Sequence, residues 1–487
     1  MLISPNTLFN RSDPSFREYQ LRRTQHWDEV ADLLEHWRGW GGAYHKRLER
    51  VYAYLVPPNK RILELGCGEG HLLAALNPST GFGVDLSSKM LHRAKKLHPG
   101  LIFVQADGHS LPLDGTFDVV ILSDLMNELW DIQAVLKEIR RIVHPRTRMI
   151  INSYSRMWEI PLALAEKLGL AKPNLSLNWL TVQDALNLLD LEGFEPIRYW
   201  EEILFPLPIP FLSTFFNHVL VRLFPFRLLA LTNFIVARPT QAASFERGEP
   251  TVSVVIPARN EAGNITEIFR RTPEMGGGTE LVFVEGHSTD STYEVIEREI
   301  VENPQRASLL VRQSGEGKGD AVRIGFDKAS GDILLILDAD LTVPPEDLLR
   351  FYEVLCTGKG DFVNGVRLVY PMEDEAMRFF NLIGNKFFSF AFSWLIGQNI
   401  KDTLCGTKGL WKQDYEVIAA NRDYFGDFDP FGDFDLILGA ARLTMKIVDL
   451  PIRYRKRSYG KTNIRRWEHG LLLLRMLLFA AHRMKFI

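Results

Sequence analysis

Short apolar runs, punctuated by glycine and separated by stretches of helical period, recur along most of this chain. The first fifty residues read as a helical lead-in, with the aromatic and basic run Tyr44-His45-Lys46-Arg47 near its end. From Arg61 the pattern switches to strand candidates: RILELG, GFGVDL, LIFVQAD, FDVVILSD and, after a further helix, RMIINSYS. Strand, glycine turn and helix in alternation predict a parallel sheet covered by helices. Two later segments, FEPIRYWEEILF and LTNFIVARP, can close the same sheet. Between Pro239 and Pro250 the sequence is small, polar and bracketed by prolines, as a boundary would be. A second series follows at once: TVSVVIPARNE, ELVFVEG, SLLVRQS, DILLILDAD and DFVNGVRL. The signature appears twice with different motifs at the strand ends, which predicts two unlike α/β domains and no duplication.

Three further apolar stretches stand outside this scheme: Ile203–Leu231, residues 375–397, and Gly470–Ile487. Each is interrupted by charge or proline, so none is a good membrane span of about 20 apolar residues. Each reads either as a core element or as a helix lying along a bilayer. From Pro451 to the end, ten Lys or Arg residues accompany one acid, Glu468, a balance suited to an anionic membrane surface. At 487 residues, two or three domains are expected. A hydrophobic fraction of 46% with 24% charged residues suggests neither disorder nor a multi-span membrane protein, and the net charge of -3 offers no bulk attraction to nucleic acid. Cys67, Cys356 and Cys405 lie far apart, with no thiolate zinc pattern, and the N-terminus lacks a secretory signal, so a cytoplasmic protein is expected. Oligomeric state is not readable from the sequence.

In the first series the run Glu64-Leu65-Gly66-Cys67-Gly68-Glu69-Gly70 follows a strand and opens a helix. Glycines at alternate positions let the backbone turn sharply and approach a ligand. Asp85 ends the next strand, where a carboxylate can take both ribose hydroxyls. That geometry serves a nicotinamide dinucleotide as well, so these residues alone leave a dehydrogenase open. The region from Tyr44 to Pro239 resembles the class I S-adenosylmethionine-dependent methyltransferases. The resemblance implies a Rossmann-like fold in which Glu64, Gly66, Gly68 and Gly70 form the cofactor loop, Asp85 holds the ribose and Asp107 recognises the adenine amino group. Asp124 then ends the fourth strand, facing donor and acceptor. Glu128 is the candidate to orient or deprotonate a methyl acceptor; the alternative is that Asn127 and Glu128 cap the next helix.

In the second series Asp338-Ala339-Asp340 ends DILLILDAD. Residues two apart on a strand face one side, and two carboxylates projecting together call for a positive partner, such as a divalent cation bridging a diphosphate. Residues 251–465 resemble the inverting family 2 glycosyltransferases, especially dolichyl-phosphate mannose synthase and related polyprenyl-phosphate sugar synthases. The resemblance implies a glycosyltransferase A fold using a nucleotide-sugar and Mg²⁺ or Mn²⁺. Pro257, Asn260, Glu261, Glu285, Asp290 and Lys318 would then meet the nucleotide, with Asp338 and Asp340 at the metal. Thr342 stands where close members place Gln as a further metal contact. Asp433 and Asp435 would lie on the acceptor side. Arg457 and Lys461, in a basic loop, would cover the donor and meet an acceptor phosphate.

The combined expectation is an α/β chain with a methyltransferase domain at 1–240, a linker at 241–250, a glycosyltransferase domain at 251–465 and a basic amphipathic tail at 466–487. It would methylate and glycosylate a glycan or glycolipid, with a lipid-linked acceptor at the cytoplasmic membrane face. The alternatives are a soluble saccharide acceptor, or one domain kept only for binding.

Overall fold

A computed structural model describes residues 14–34, 41–167, 175–207, 209–240, 249–367, 379–422, 433–452 and 466–485, together with 454, 455, 457 and 459. The chain divides between Gln241 and Ala242 into two compact units. The first is built on seven strands: β1 (Arg61–Leu65), β2 (Thr80–Asp85), β3 (Ile102–Gln105), β4 (Phe117–Ser123), β5 (Val143–Tyr154), β6 (Phe194–Glu202) and β7 (Thr232–Pro239). Their order is β3-β2-β1-β4-β5-β7-β6. Strands β1 to β5 pair in parallel, while β7 runs antiparallel to both β5 and β6. The two late segments therefore do close the sheet.

Burial on both faces explains why these strands read as continuous apolar runs. Ile62, Val119, Ile121 and Ile150 enter one core cluster. Their neighbours Leu63, Val120, Leu122 and Ile151 enter another. Successive side chains point to opposite faces, so one strand feeds two cores.

The second unit holds β8 (Val252–Ala258), β9 (Thr279–Glu285), β10 (Ser308–Arg312), β11 (Ile333–Ile336), β12 (Phe362–Val366), β13 (Lys408–Trp411) and β14 (Ile447–Pro451). Their order is β10-β9-β8-β11-β13-β12-β14. Strands β10, β9, β8 and β11 are parallel; β13 enters antiparallel between β11 and β12, and β14 returns parallel to β12. Strands β13 and β14 were not expected, because KGLW and IVDLP are short and carry neither alternation nor a clear apolar run.

In each sheet the order reverses beside the first strand, between β1 and β4 and between β8 and β11. At such a switch point the flanking connections leave in opposite directions and open a crevice at the strands' carboxyl ends. Every strand-end motif read from the sequence lies at one of these two crevices or beside it.

The apolar stretches resolve differently from one another. Residues 379–396 form one helix, with Phe392 fully buried and Phe390 76% exposed. The tail helix Arg466–Ala480 turns Leu473, Met476 and Ala480 inward and leaves Leu478 63% exposed. The stretch Ile203–Leu231 forms short helical turns, many of whose apolar side chains face outward. Among the described residues, no helix is long and apolar enough to cross a membrane.

Candidate functional sites

At the first crevice, Gly66, Gly68 and Gly70 all have positive φ, at 71°, 51° and 73°. A Cβ at Gly70 would stand 2.8 Å from the Phe103 ring, whereas one at Gly68 would meet no protein atom within 4 Å. The loop is thus tight behind and open in front, as a cradle for a ligand must be. Asp85 holds its shape: Gly68 N donates to Oδ2 and Ser87 N to Oδ1, both at 2.9 Å. Burial raises the Asp85 carboxyl pKa, and those backbone hydrogen bonds oppose the shift. Glu64 is buried behind the loop, accepting from Leu73 N at 3.1 Å. Burial pushes its pKa up to about 8.

Asp107 follows β3. Burial would raise its pKa, but hydrogen bonds outweigh that and hold it below the usual range. His109 supplies two, from its backbone N at 2.9 Å and from Nδ1 at 2.5 Å. The His109 Nε2 accepts from Asp131 N at 3.1 Å, which leaves the ring proton on Nδ1, facing Asp107. Asp124, at φ 56°, accepts from the Tyr44 hydroxyl at 2.8 Å and Asn152 Nδ2 at 2.6 Å. Burial lifts its pKa to about 7 against these two donors.

Glu128 does not cap a helix. The helix Ile132–Arg140 takes Asp131 as its cap, through Ala134 N, and Asn127 is fully buried, bonded to Asn178 O and Tyr154 N. The Glu128 carboxylate instead accepts from Trp27 Nε1 at 2.9 Å and Arg23 Nη1 at 3.1 Å. Burial raises its pKa, and Arg23 and Trp27 hold the rise back. Both partners lie on the helix Pro14–Leu34, which also sends Gln20 to Asp107 and accepts from Ser87 Oγ through Asp28. This lead-in helix therefore touches residues after β2, β3 and β4. Sequence reasoning left it without a role, because its polar residues look like an ordinary solvated face.

At the second crevice, Lys318 and Arg457 pair with three carboxylates, and a fourth, Asp290, lies close to Glu261. Arg457 Nη2 donates to Asp340 Oδ2 at 2.9 Å and lies 3.2 Å from Glu261 Oε1. Lys318, in the first turn of the helix Gly317–Lys328, reaches Asp338 Oδ1 at 2.5 Å. Asp290 accepts from Thr292 N at 3.0 Å and from the Tyr459 hydroxyl at 3.4 Å. Burial lifts Glu261 to about 7; Arg457 opposes this, and Asp340 and Asp290 reinforce it. Asp338 is held below its ordinary range: burial acts to raise it, and Lys318, Lys408 and Arg367 more than reverse the effect.

One expectation is corrected here. The β11 ladder ends at Ile336, and Leu341 has φ 54°, so Asp338 and Asp340 sit on a turn beyond the strand and take separate cations. The same-face argument fails because the alternation stops where the ladder stops. Thr342 does not offer its hydroxyl outward; Oγ1 donates to Asp340 Oδ1 at 2.8 Å and Thr342 N adds a second bond at 3.1 Å. It orients the carboxylate.

The residues expected on the nucleotide side cluster at the ends of β8 and β9. Asn260 Oδ1 accepts from Thr289 N at 2.7 Å, and Glu285 accepts from Ser288 N at 2.6 Å, while Pro257 pairs in register with Val284. Gly406, in the loop before β13, is packed so closely that a Cβ would collide with Lys318 Nζ and the Asp338 carboxylate. Asp435 is bonded to Arg422 Nε at 3.0 Å. Asp433 opens the helix Asp433–Arg442, but its side chain, like all of Lys461, lies outside the described residues.

Comparison with known proteins agrees with both halves of this picture. Residues 63–151 match the family described as a methyltransferase domain, and residues 253–418 match Glycosyl transferase family 2. The glycosyltransferase AglJ of Haloferax volcanii is 29% identical over 215 residues, covering 44% of this chain and 66% of its own. A dolichol-phosphate mannosyltransferase of Pyrococcus furiosus is 29% identical over 225 residues, covering 44% and 59%. The chain thus spans less than two thirds of the length of either relative. A solved methyltransferase of Thermotoga maritima, dependent on S-adenosylmethionine, is 16% identical with a TM-score of 0.34, covering 45% of this chain and 99% of its own.

Proposed function

We propose that this chain, in which a methyltransferase domain precedes a family 2 glycosyltransferase domain, is a bifunctional transferase that methylates and glycosylates a common glycan or glycolipid, with a lipid-linked acceptor at the membrane surface. The observation that carries the reading is that acids marked in the sequence gather at the carboxyl ends of the strands at and beside each switch point, Asp85 and Asp124 in the first sheet and Glu261, Asp338 and Asp340 in the second. The names of the relatives support a polyprenyl-phosphate acceptor.

In the first domain, S-adenosylmethionine supplies an activated methyl on a sulfonium. The chain's part is to hold and align it. The open face of Gly68 admits the cofactor, Asp85 takes the ribose hydroxyls and Asp107, oriented by His109, takes the adenine amino group. Glu128, held by Arg23 and Trp27, orients the acceptor and receives its proton. Alignment with exclusion of water supplies most of the rate, since the leaving group is already good.

In the second domain, a nucleotide-sugar binds along Pro257, Asn260, Glu261, Glu285 and Asp290. A divalent ion held by Asp338 and Asp340 would neutralise charge on the diphosphate. Two carboxylates together with phosphate oxygens are an ordinary donor set for Mg²⁺, and the hard oxygens present here fit it. Lys318 and Arg457 now balance those carboxylates, and both carry donors suited to phosphate oxygens once the donor is bound. Asp433 and Asp435 are the proposed acceptor-side groups in an inverting displacement.

The test is a paired assay on the full chain, following methyl transfer from labelled S-adenosylmethionine and metal-dependent turnover of nucleotide-sugars. Asp340→Asn should abolish sugar transfer and leave S-adenosylmethionine binding intact. Sugar transfer by that variant in the presence of a chelator, or failure of the wild-type chain to bind either donor, refutes the proposal.

A further inference from the structure

We infer that the segment Ile209–Leu229 of the first unit is a membrane-docking surface that seats on an anionic lipid bilayer. Its burial pattern is inverted. Phe211 is 90% exposed, Phe224 74% and Leu229 53%, and six more large apolar residues between Ile209 and Leu228 are exposed by 40% or more. Two polar side chains of the same segment, Asn217 and Arg222, point inward. Asn217 is buried, with its amide bridging Phe205, where Oδ1 accepts from N and Nδ2 donates to O, both at 2.7 Å. Arg222 is buried as well and pairs with Glu202, which also accepts from Arg47 at 3.0 Å. A water-facing loop would reverse both choices, since exposed phenylalanine and buried arginine each cost free energy in water.

Three features select a lipid surface as the occupant. Residues 203–231 contain no Asp or Glu, while Arg227 is exposed among the apolar side chains, so the charge of the segment complements anionic headgroups. The backbone is largely satisfied within the segment. Ser213 N bonds to Ile209 O, Phe215 N to Phe211 O and Arg227 N to Leu223 O, at 2.9, 2.9 and 3.0 Å, and prolines remove further donors. An apolar medium requires that self-sufficiency. The turns are also too short to span, which fits shallow seating at the headgroup boundary. The surface continues onto a neighbouring helix: Trp158 Nε1 donates to Leu229 O at 2.9 Å, and Met157 and Ile160 beside it are 61% and 81% exposed.

This deepens the membrane-surface reading above by placing a contact on the methyltransferase unit, apart from the tail. The test is flotation of the full chain with vesicles of phosphatidylcholine, with and without phosphatidylglycerol. The wild-type chain should float with the anionic vesicles, and more weakly as salt is raised. The double variant Phe211→Glu, Phe224→Glu should lose roughly a hundredfold in partitioning, as expected for two aromatic side chains kept from an apolar phase. Arg227→Ala should lose about fivefold and show a shallower salt dependence. All three substitutions are at exposed positions, and retained S-adenosylmethionine binding checks the fold. Leu478→Glu, on the exposed side of the tail, separates the two readings. If it abolishes flotation and the double variant floats like wild type, this inference falls while the membrane-surface reading survives. The inference is also overturned if no vesicle binding occurs and the chain is a dimer that Phe224→Glu dissociates, because the face would then be a contact between copies.

Discussion

Asp85 gives the sharpest handle on the proposed methyl-donor site, because its two oxygens do two jobs. Each accepts one backbone N–H at 2.9 Å, from Gly68 on one side and Ser87 on the other. Gly68 lies in the glycine loop after β1, and Ser87 caps the helix Ser88–Leu97 by accepting from Met90 N. Asp85→Asn keeps the shape but offers only one acceptor oxygen; the amide NH₂ must then face either an N–H or the ribose. One charge-assisted bond is lost outright and the remaining ones weaken. A hydrogen bond to a charged group contributes about 1.5–3 kcal/mol, so S-adenosylmethionine affinity should fall by about 2–3 kcal/mol, or roughly 30- to 150-fold. Titration calorimetry on the full chain measures this directly, with nucleotide-sugar binding as an internal control that should not move. An Asp85→Asn chain with an unchanged thermal transition and an affinity within about threefold of wild type would refute the placement of this carboxylate in the donor site.

Gly406→Ala should lower sugar transfer on the order of a hundredfold, since its Cβ must displace either Lys318 or Asp338 and an ångström-scale misplacement has that effect; methyl-donor binding should be unaffected, and sugar-transfer activity close to wild type would show that the Lys318–Asp338 pair is not required. Glu64 should make the first unit less stable as pH rises. Its folded pKa of about 8 lies above the unfolded value, so its contribution is fully present below that unfolded value and is lost as pH climbs through about 8. Glu64→Gln should therefore match wild type near pH 4, below the unfolded value of 4.5, and melt higher at pH 9, with a difference bounded by about 5 kcal/mol; thermal melts that stay parallel across that range would contradict it.

Much of this architecture was legible in the residues themselves. The apolar runs of β1, β4, β8 and β11 needed no context, because a strand buried on both faces is apolar at most of its positions. The glycine run at 66–70 and the acids at Asp85, Asp107, Asp338 and Asp340 were visible because chemistry restricts which residue types can stand after a strand. The tertiary structure added what depends on distant partners. Only the folded chain puts Arg23 and Trp27 against Glu128, more than a hundred positions away, or brings Arg457 to Asp340 and Glu261. Strand β13 is invisible in KGLW because its place is fixed by pairing with β11 and β12, and not by its own pattern. The loop Ile209–Leu229 makes the same point from the other direction: its composition predicted either a core or a membrane element, and only the inward turn of Asn217 and Arg222 decided which way the phenylalanines face. Local sequence determines what an element is, because periodicity and backbone preference act over a few residues. Which carboxylate receives which cation is set by long-range closure of the chain, and no local pattern encodes that.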